Sequence, residues 1–158
     1  PVWEERDRGL YEEEVYLKQF QELDPQDAED IEKVIKGSGQ TIRKRPYADT
    51  WVKYLKSKGY HVYILSNYSS YMLDHTKKEL TFRREMDGEV FSCYANQLKP
   101  DAEIYQIILN KYQLKPEECV FIDDRPENCR GAQEQEIHTI CFKDFKQVTA
   151  DLEKLGVK

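Results

Sequence analysis

The chain has 158 residues, of which 34% are charged and 39% hydrophobic, and it carries a net charge of −6. That length supports one domain with a proper core. The acidic balance argues against a nucleic-acid partner, because phosphate backbones are bound by clustered positive charge. No apolar run approaches the roughly 20 residues of a membrane span, and no signal peptide is visible. The four cysteines, Cys93, Cys119, Cys129 and Cys141, show no CxxC spacing. With Cys119 and Cys141 inside apolar runs, they read as buried free thiols of a reducing, cytoplasmic compartment, not as zinc ligands or a disulfide framework. Pro1-Val2-Trp3 has no initiator methionine, which points to a processed chain or a piece of a longer protein.

Residues 1–40 are polar and acidic and read as a small helical pair. Tyr16, Phe20 and Leu23 make one helical stripe. Asp24-Pro25 predicts a helix start, with Asp as cap and Pro at the first position. Ala28, Ile31 and Ile35 would line that helix's inner face, and Gly37-Ser38-Gly39 reads as a stop and linker. From Arg45 the pattern alternates between helix and strand. Tyr47, Trp51, Tyr54 and Leu55 predict a helix that ends before Gly59. Tyr60 to Leu65 is a β-rich run stopping at Ser66-Asn67. Residues 69 to about 78 look helical, and Val90 to Tyr94 is a short strand. Pro100-Asp101 opens a helix with Ile104, Ile107, Ile108 and Tyr112 inward. Strand 119–123 follows, then a helix from Pro126 to about Gln135, a strand from Ile137 to Phe142, and an amphipathic helix carrying Phe145, Val148, Leu152 and Leu155. Strands alternating with helices imply right-handed βαβ units and a parallel sheet.

In such a sheet the strand ends converge on one edge, where ligands bind. Strand 60–65 ends in Ser66-Asn67. A hydroxyl with the backbone amides of the following turn can cradle an oxyanion, although an ordinary helix cap would read the same. Lys99 stands just before a helix start and can reach a phosphate as a mobile point charge. Strand 119–123 delivers Asp123-Asp124, and two ionised neighbours at a strand end usually need a cation. An Asp-Asp turn is the plainer explanation of that pair on its own. Together, one hydroxyl, one ammonium and one carboxylate pair suit a phosphate held beside magnesium.

Ile64-Leu65-Ser66-Asn67, Lys99-Pro100-Asp101 with Ile104-Tyr105, and Phe121-Ile122-Asp123-Asp124-Arg125-Pro126-Glu127-Asn128 with Gly131-Ala132 resemble three ordered motifs of the haloacid dehalogenase-like hydrolase superfamily. The branch they are most similar to holds sugar-phosphate phosphatases and the amino-terminal domains of epoxide hydrolases. Trp3 to Phe20 resembles the helical cap segment of that branch. The resemblance implies an α/β fold: a Rossmann-like parallel sheet flanked by helices over residues 41–158, with a helical cap over residues 1–40. It implies that Ser66 and the amide of Asn67 bind the transferring phosphoryl group and that Lys99 neutralises phosphate and nucleophile. It further implies that Asp123 and Asp124 hold Mg2+ and that Asn128 supports their loop. Glu136 departs from the pattern, since relatives usually have Gly before the last strand.

The larger departure is the family's attacking Asp. It is the first Asp of a DxD motif on an apolar strand that precedes the cap, central between the strands ending at Ser66 and Asp123. No such strand stands before residue 60. Asp7 lies in Glu4-Glu5-Arg6-Asp7-Arg8, which has no strand character, and Asp24, Asp27, Asp30 and Asp49 lie on or cap helices. The resemblance therefore implies a magnesium-dependent phosphatase acting on a small phosphorylated metabolite, with its nucleophile outside this chain and the chain inactive by itself. The alternatives are a non-catalytic binding or scaffold domain and a 2-haloacid dehalogenase, whose chemistry dispenses with the metal. A receiver-type domain would share a carboxylate pocket and a Lys, but it begins with a strand, which the helical lead does not fit.

Overall fold

The computed structural model describes residues 2–157. Pro1 and Lys158, and with Pro1 the expectation about the chain's start, lie outside them. Three helices lead: α1 (Val2–Arg8), α2 (Glu13–Leu23) and α3 (Ala28–Gly37). Then α4 (Ala48–Ser57), β1 (Tyr63–Ser66), α5 (Ser70–His75), β2 (Gly88–Phe91), α6 (Ser92–Ala95) and α7 (Ala102–Tyr112) follow. The chain closes with β3 (Val120–Asp123), α8 (Pro126–Gln133), β4 (His138–Cys141) and α9 (Phe145–Lys154).

All strand pairing is parallel, as expected, but it falls into two halves. β1 pairs with β2, from Tyr63 opposite Gly88 to Ser66 opposite Phe91. β3 pairs with β4, from Val120 opposite His138 to Asp123 opposite Cys141. Among the described residues β1 and β3 are not joined by a ladder. The central strands pack apolar residues on both faces, as parallel strands do. Tyr63, Leu65, Cys119 and Phe121 turn to a core built on α7, where Ile104 and Tyr105 are fully buried beside Val90, Ala132 and Ile137. The alternate residues turn the other way. Val120 and Ile122 pack with Ile140, Val148, Leu152 and Trp51, and Ile64 packs with Leu73, Phe91 and Cys93. Phe145 clamps α9 to α4, stacked 4.2 Å from Tyr47 and edge-on to Trp51 at 5.2 Å.

Several expectations are corrected. The first strand begins at Tyr63, not Tyr60, because the preceding residues close α4 and meet Asp87. The Tyr60 amide donates to Leu55, and the Val62 amide donates to the Asp87 carboxylate at 2.8 Å. Ser92-Cys93-Tyr94 is helical, not strand. Ser92 Oγ accepts from the Tyr68 amide at 2.8 Å and donates to the Asp7 carbonyl at 2.5 Å, which fixes a turn there. Gly37-Ser38-Gly39 is no linker, since Ser38 is buried and its hydroxyl donates to Ile35 O at 2.7 Å. Asp24 makes no capping bond, and a 3-10 turn over Pro25–Asp27 comes first. The caps that do form are Ser69 on α5 and Asp144 on α9. Leu23, placed on the inner stripe, is 73% exposed. Cys119 and Cys141 are only half-buried; the buried thiols are Cys93 and Cys129. No described helix is long and apolar enough to cross a membrane.

Candidate active site

Three strand-to-helix connections bring the site together. The Lys99 ammonium donates to Asp123 Oδ2 at 2.6 Å and to the Leu65 carbonyl at 3.0 Å. One cation thus spans the end of β1 and the end of β3. Both side chains of the pair are 8% exposed. Lys99 is held by its own backbone: its amide donates to Asn67 Oδ1 at 2.8 Å, and Asn67 Nδ2 donates back to its carbonyl at 3.0 Å. The Asn67 side chain thus braces the Lys99 segment.

Asp123 is held from three sides. Besides Lys99, it accepts from the Arg125 amide and from Asn128 Nδ2, both at 2.9 Å on Oδ1. Asn128 is buried on the first turn of α8, and its carbonyl accepts from the buried Tyr105 hydroxyl at 2.7 Å. Burial pushes the Tyr105 phenol up from its ordinary value of 10.0, so it stays a donor. Gly131 lets α8 approach the Lys99–Pro100 segment, since a Cβ there would lie 2.5 Å from the Pro100 carbonyl oxygen. Ser66 ends β1 opposite Phe91, and its hydroxyl makes no hydrogen bond among the described residues. Asp124 is exposed, and its carboxylate likewise has no ion pair among them.

The donor chemistry suits a hard cation. Asp124 offers a free carboxylate, and Asn128 Oδ1 is a buried oxygen without a partner. Magnesium favours such oxygens and completes its shell with water and phosphate. The described residues contain no group of three or more His, Cys, Asp or Glu able to hold a metal. The set of Asp123, Asp124 and Asn128 therefore fits the ion only with further oxygens from elsewhere.

One residue at the site escaped the sequence reading. Asp7, dismissed for lack of strand character, ends up with its carbonyl accepting from Ser92 Oγ at 2.5 Å and its carboxylate within electrostatic reach of Arg6 and Arg125. Burial raises its carboxyl from 3.8 to about 6, against the opposing pull of Arg6 and Arg125. No sequence pattern marks it, because the contact is long-range.

A family model described as haloacid dehalogenase-like hydrolase matches residues 2–134. The chain belongs to the haloacid dehalogenase-like hydrolases. Among curated relatives, the chloroplastic flavin mononucleotide hydrolase 1 of Arabidopsis thaliana is 26% identical over 159 residues, covering 99% of this chain and 62% of the relative. Bifunctional epoxide hydrolase 2 of Rattus norvegicus is 29% identical over 107 residues, covering 64% of this chain and 19% of the relative. The chain thus spans less than two thirds of either relative. A solved HAD family enzyme of Bacteroides thetaiotaomicron, in complex with magnesium and inorganic phosphate, superposes with a TM-score of 0.76 at 21% identity, over 93% of this chain and 78% of that one. A predicted HAD-like family hydrolase of Porphyromonas gingivalis superposes with a TM-score of 0.74 at 21% identity, over 99% of this chain and 79% of that one. The α/β fold of the chain is therefore that of the superfamily, and its curated relatives include a sesquiterpene phosphatase of Aspergillus oryzae, 25% identical over 133 residues and covering 84% of this chain and 67% of that relative.

Proposed function

We propose that the chain is the larger part of a magnesium-dependent phosphatase acting on a small phosphorylated metabolite, whose attacking carboxylate comes from outside these 158 residues. The observation that carries this reading is the Lys99 ammonium, buried between Leu65 O and Asp123 at the shared end of β1 and β3. A buried charge placed there needs a reason, since desolvating an ion pair costs about as much as it returns. Binding a phosphoryl group supplies one.

In this reading Ser66 Oγ and the Asn67 turn receive the phosphoryl oxygens, and Lys99 balances the negative charge of phosphate and nucleophile. An Asp carboxylate attacks phosphorus, the ester P–O bond breaks, and the leaving oxygen takes a proton from a general acid. Water then cleaves the aspartyl-phosphate, releasing inorganic phosphate and restoring the carboxylate. Asp123, Asp124 and Asn128 would hold magnesium, which screens charge on the phosphoryl oxygens. Residues 1–40 act as the cap over residues 41–158, tied down through Asp7, Arg8 and Gly9 to Ser92 and Asn96.

The gap between the half-sheets supports the origin of the nucleophile. β1 and β3 share the α7 core yet do not pair. Alongside them opens an apolar groove of about 410 Å³, lined by residues including Trp51, Leu55, Val62, Leu80, Phe82 and Ile122. An added parallel strand there would satisfy both free backbone edges.

The test compares residues 1–158 with a chain extended by an apolar strand ending in DxD, on a generic phosphate ester and on candidates including flavin mononucleotide and sugar phosphates. The expected result is no turnover by the short chain and magnesium-dependent turnover by the long one, abolished by Asp123→Ala. Activity of the short chain alone refutes the missing nucleophile. A rate without magnesium favours the dehalogenase-type reading, and no rate in the long chain favours a non-catalytic binding domain, the reading that the lack of a DxD strand before residue 60 also suits.

A further inference from the structure

The thiols of Cys129 and Cys141 have no part in the phosphatase reading, yet both stand against the backbone of its carboxylate loop. Cys129 sits in the first turn of α8, 5% exposed, and its Sγ donates to the Asp123 carbonyl at 3.5 Å. Cys141 ends β4, half-buried, with its Sγ 3.9 Å from the Asp124 carbonyl. Burial pushes the Cys129 thiol up, and the neighbouring Cys141 adds to that. Two sulfurs anchored on successive carbonyls are placed by elements that already pack together: Asp123 lies opposite Cys141 in the ladder, and α8 follows β3 directly. A disulfide requires neighbouring Cβ atoms whose vectors converge, and both sulfurs are already aimed at the same dipeptide, Asp123-Asp124. Cys93 lies in a separate apolar cluster, and Cys119 packs at the opposite end of β3.

We propose that Cys129 and Cys141 form a reversible dithiol–disulfide site beneath the Asp123-Asp124 loop, oxidised by low-molecular-weight disulfides such as oxidised glutathione. The more exposed Cys141 is the entry point. Its thiolate attacks the glutathione disulfide, forming a mixed disulfide and releasing one glutathione thiolate, which takes up the proton. Cys129, once deprotonated, attacks the Cys141 sulfur, and the S–S bond to glutathione breaks. Two protein thiols are oxidised, and one glutathione disulfide is reduced to two thiols. The new bond covalently joins α8 to the end of β4, and Asp124 O loses its thiol donor while Asp123 O keeps the Phe142 amide at 2.8 Å.

The folded chain is incubated with oxidised glutathione, quenched by acid, alkylated and mapped by mass spectrometry. The expected result is loss of two of the four free thiols, a linked Cys129–Cys141 peptide, and full recovery with dithiothreitol. Cys129→Ser should instead accumulate a glutathione adduct on Cys141. Cross-links that involve Cys93 or Cys119, pairing seen only in denaturant, or a Cys141 that stays unmodified in the Cys129→Ser variant would each overturn the site. None of these readouts depends on phosphatase activity.

Discussion

The two half-sheets have the same length and direction but opposite chemistry. The β1–β2 half ends in a hydroxyl and an amide, Ser66 and Asn67, and is roofed by α1 through Ser92. The β3–β4 half ends in two carboxylates and the buried Asn128, and it packs on α4 and α9 instead. Each half satisfies its own backbone pairing. What neither supplies alone is charge balance, and Lys99, which follows β2, crosses over to provide it. The difference teaches that this site is assembled by the union of two pieces and is not a property of either.

Removing the crossing should have the largest effect. Lys99→Ala leaves Asp123 buried and uncompensated, and about 3–5 kcal/mol of stability should be lost, read as a fall in the urea midpoint. If Asp123→Asn in the same chain recovers none of that loss, the pair is not the joint. Next comes the contact behind it. Gly131→Ala drives a methyl toward the Pro100 carbonyl at 2.5 Å, where backbone must shift, and should cost about 1–3 kcal/mol by the same measurement.

The roof over the first half can be examined by pH. Asp7 titrates at about 6 when folded against an ordinary 3.8. Between those values the folded chain keeps a proton that the unfolded chain has released. Its contribution is therefore most favourable below about pH 4 and is lost as pH rises to about 6. Asp7→Asn should leave stability unchanged near pH 4 and raise it by about 1–2 kcal/mol at pH 7, allowing for partial exposure. Equal gains at both pH values would remove burial of the charge as the cause. The smallest effect belongs to the second half. Glu136 has φ 61°, a left-handed conformation that glycine adopts without strain. Glu136→Gly should add up to about 1 kcal/mol, and a loss in thermal melting would show that its side chain contributes more than its backbone costs.

The site was largely legible because strand ends obey a simple rule. Apolar runs that stop at Ser66 and Asp123 must project those residues from one edge, and Lys99 before a helix start must point the same way. The helical leader was harder. Leu23 fits a helical stripe yet faces solvent, and Ser38 looks like linker yet is buried against Ile35 and Met72. Ser92-Cys93-Tyr94 has strand-like residues, but long-range bonds from Ser92 override that preference. Asp7 could not be found at all, because its burial comes from long-range packing, with Ser92 Oγ bonding its carbonyl from 85 residues along the chain. Glu136 carried a real signal, as the Gly expected there reflects the left-handed turn that the structure contains.

The unjoined flanks of β1 and β3 have a consequence for handling the protein. Each strand leaves one edge without a ladder partner among the described residues, near the furrow lined by Val62 and Ile122, so an intruding extended segment would gain hydrogen bonds there. A concentrated solution of the isolated polypeptide should therefore tend to associate through this furrow, and a short β-forming peptide that fills it should act as a solubiliser, raising the melting temperature in proportion to the logarithm of its concentration.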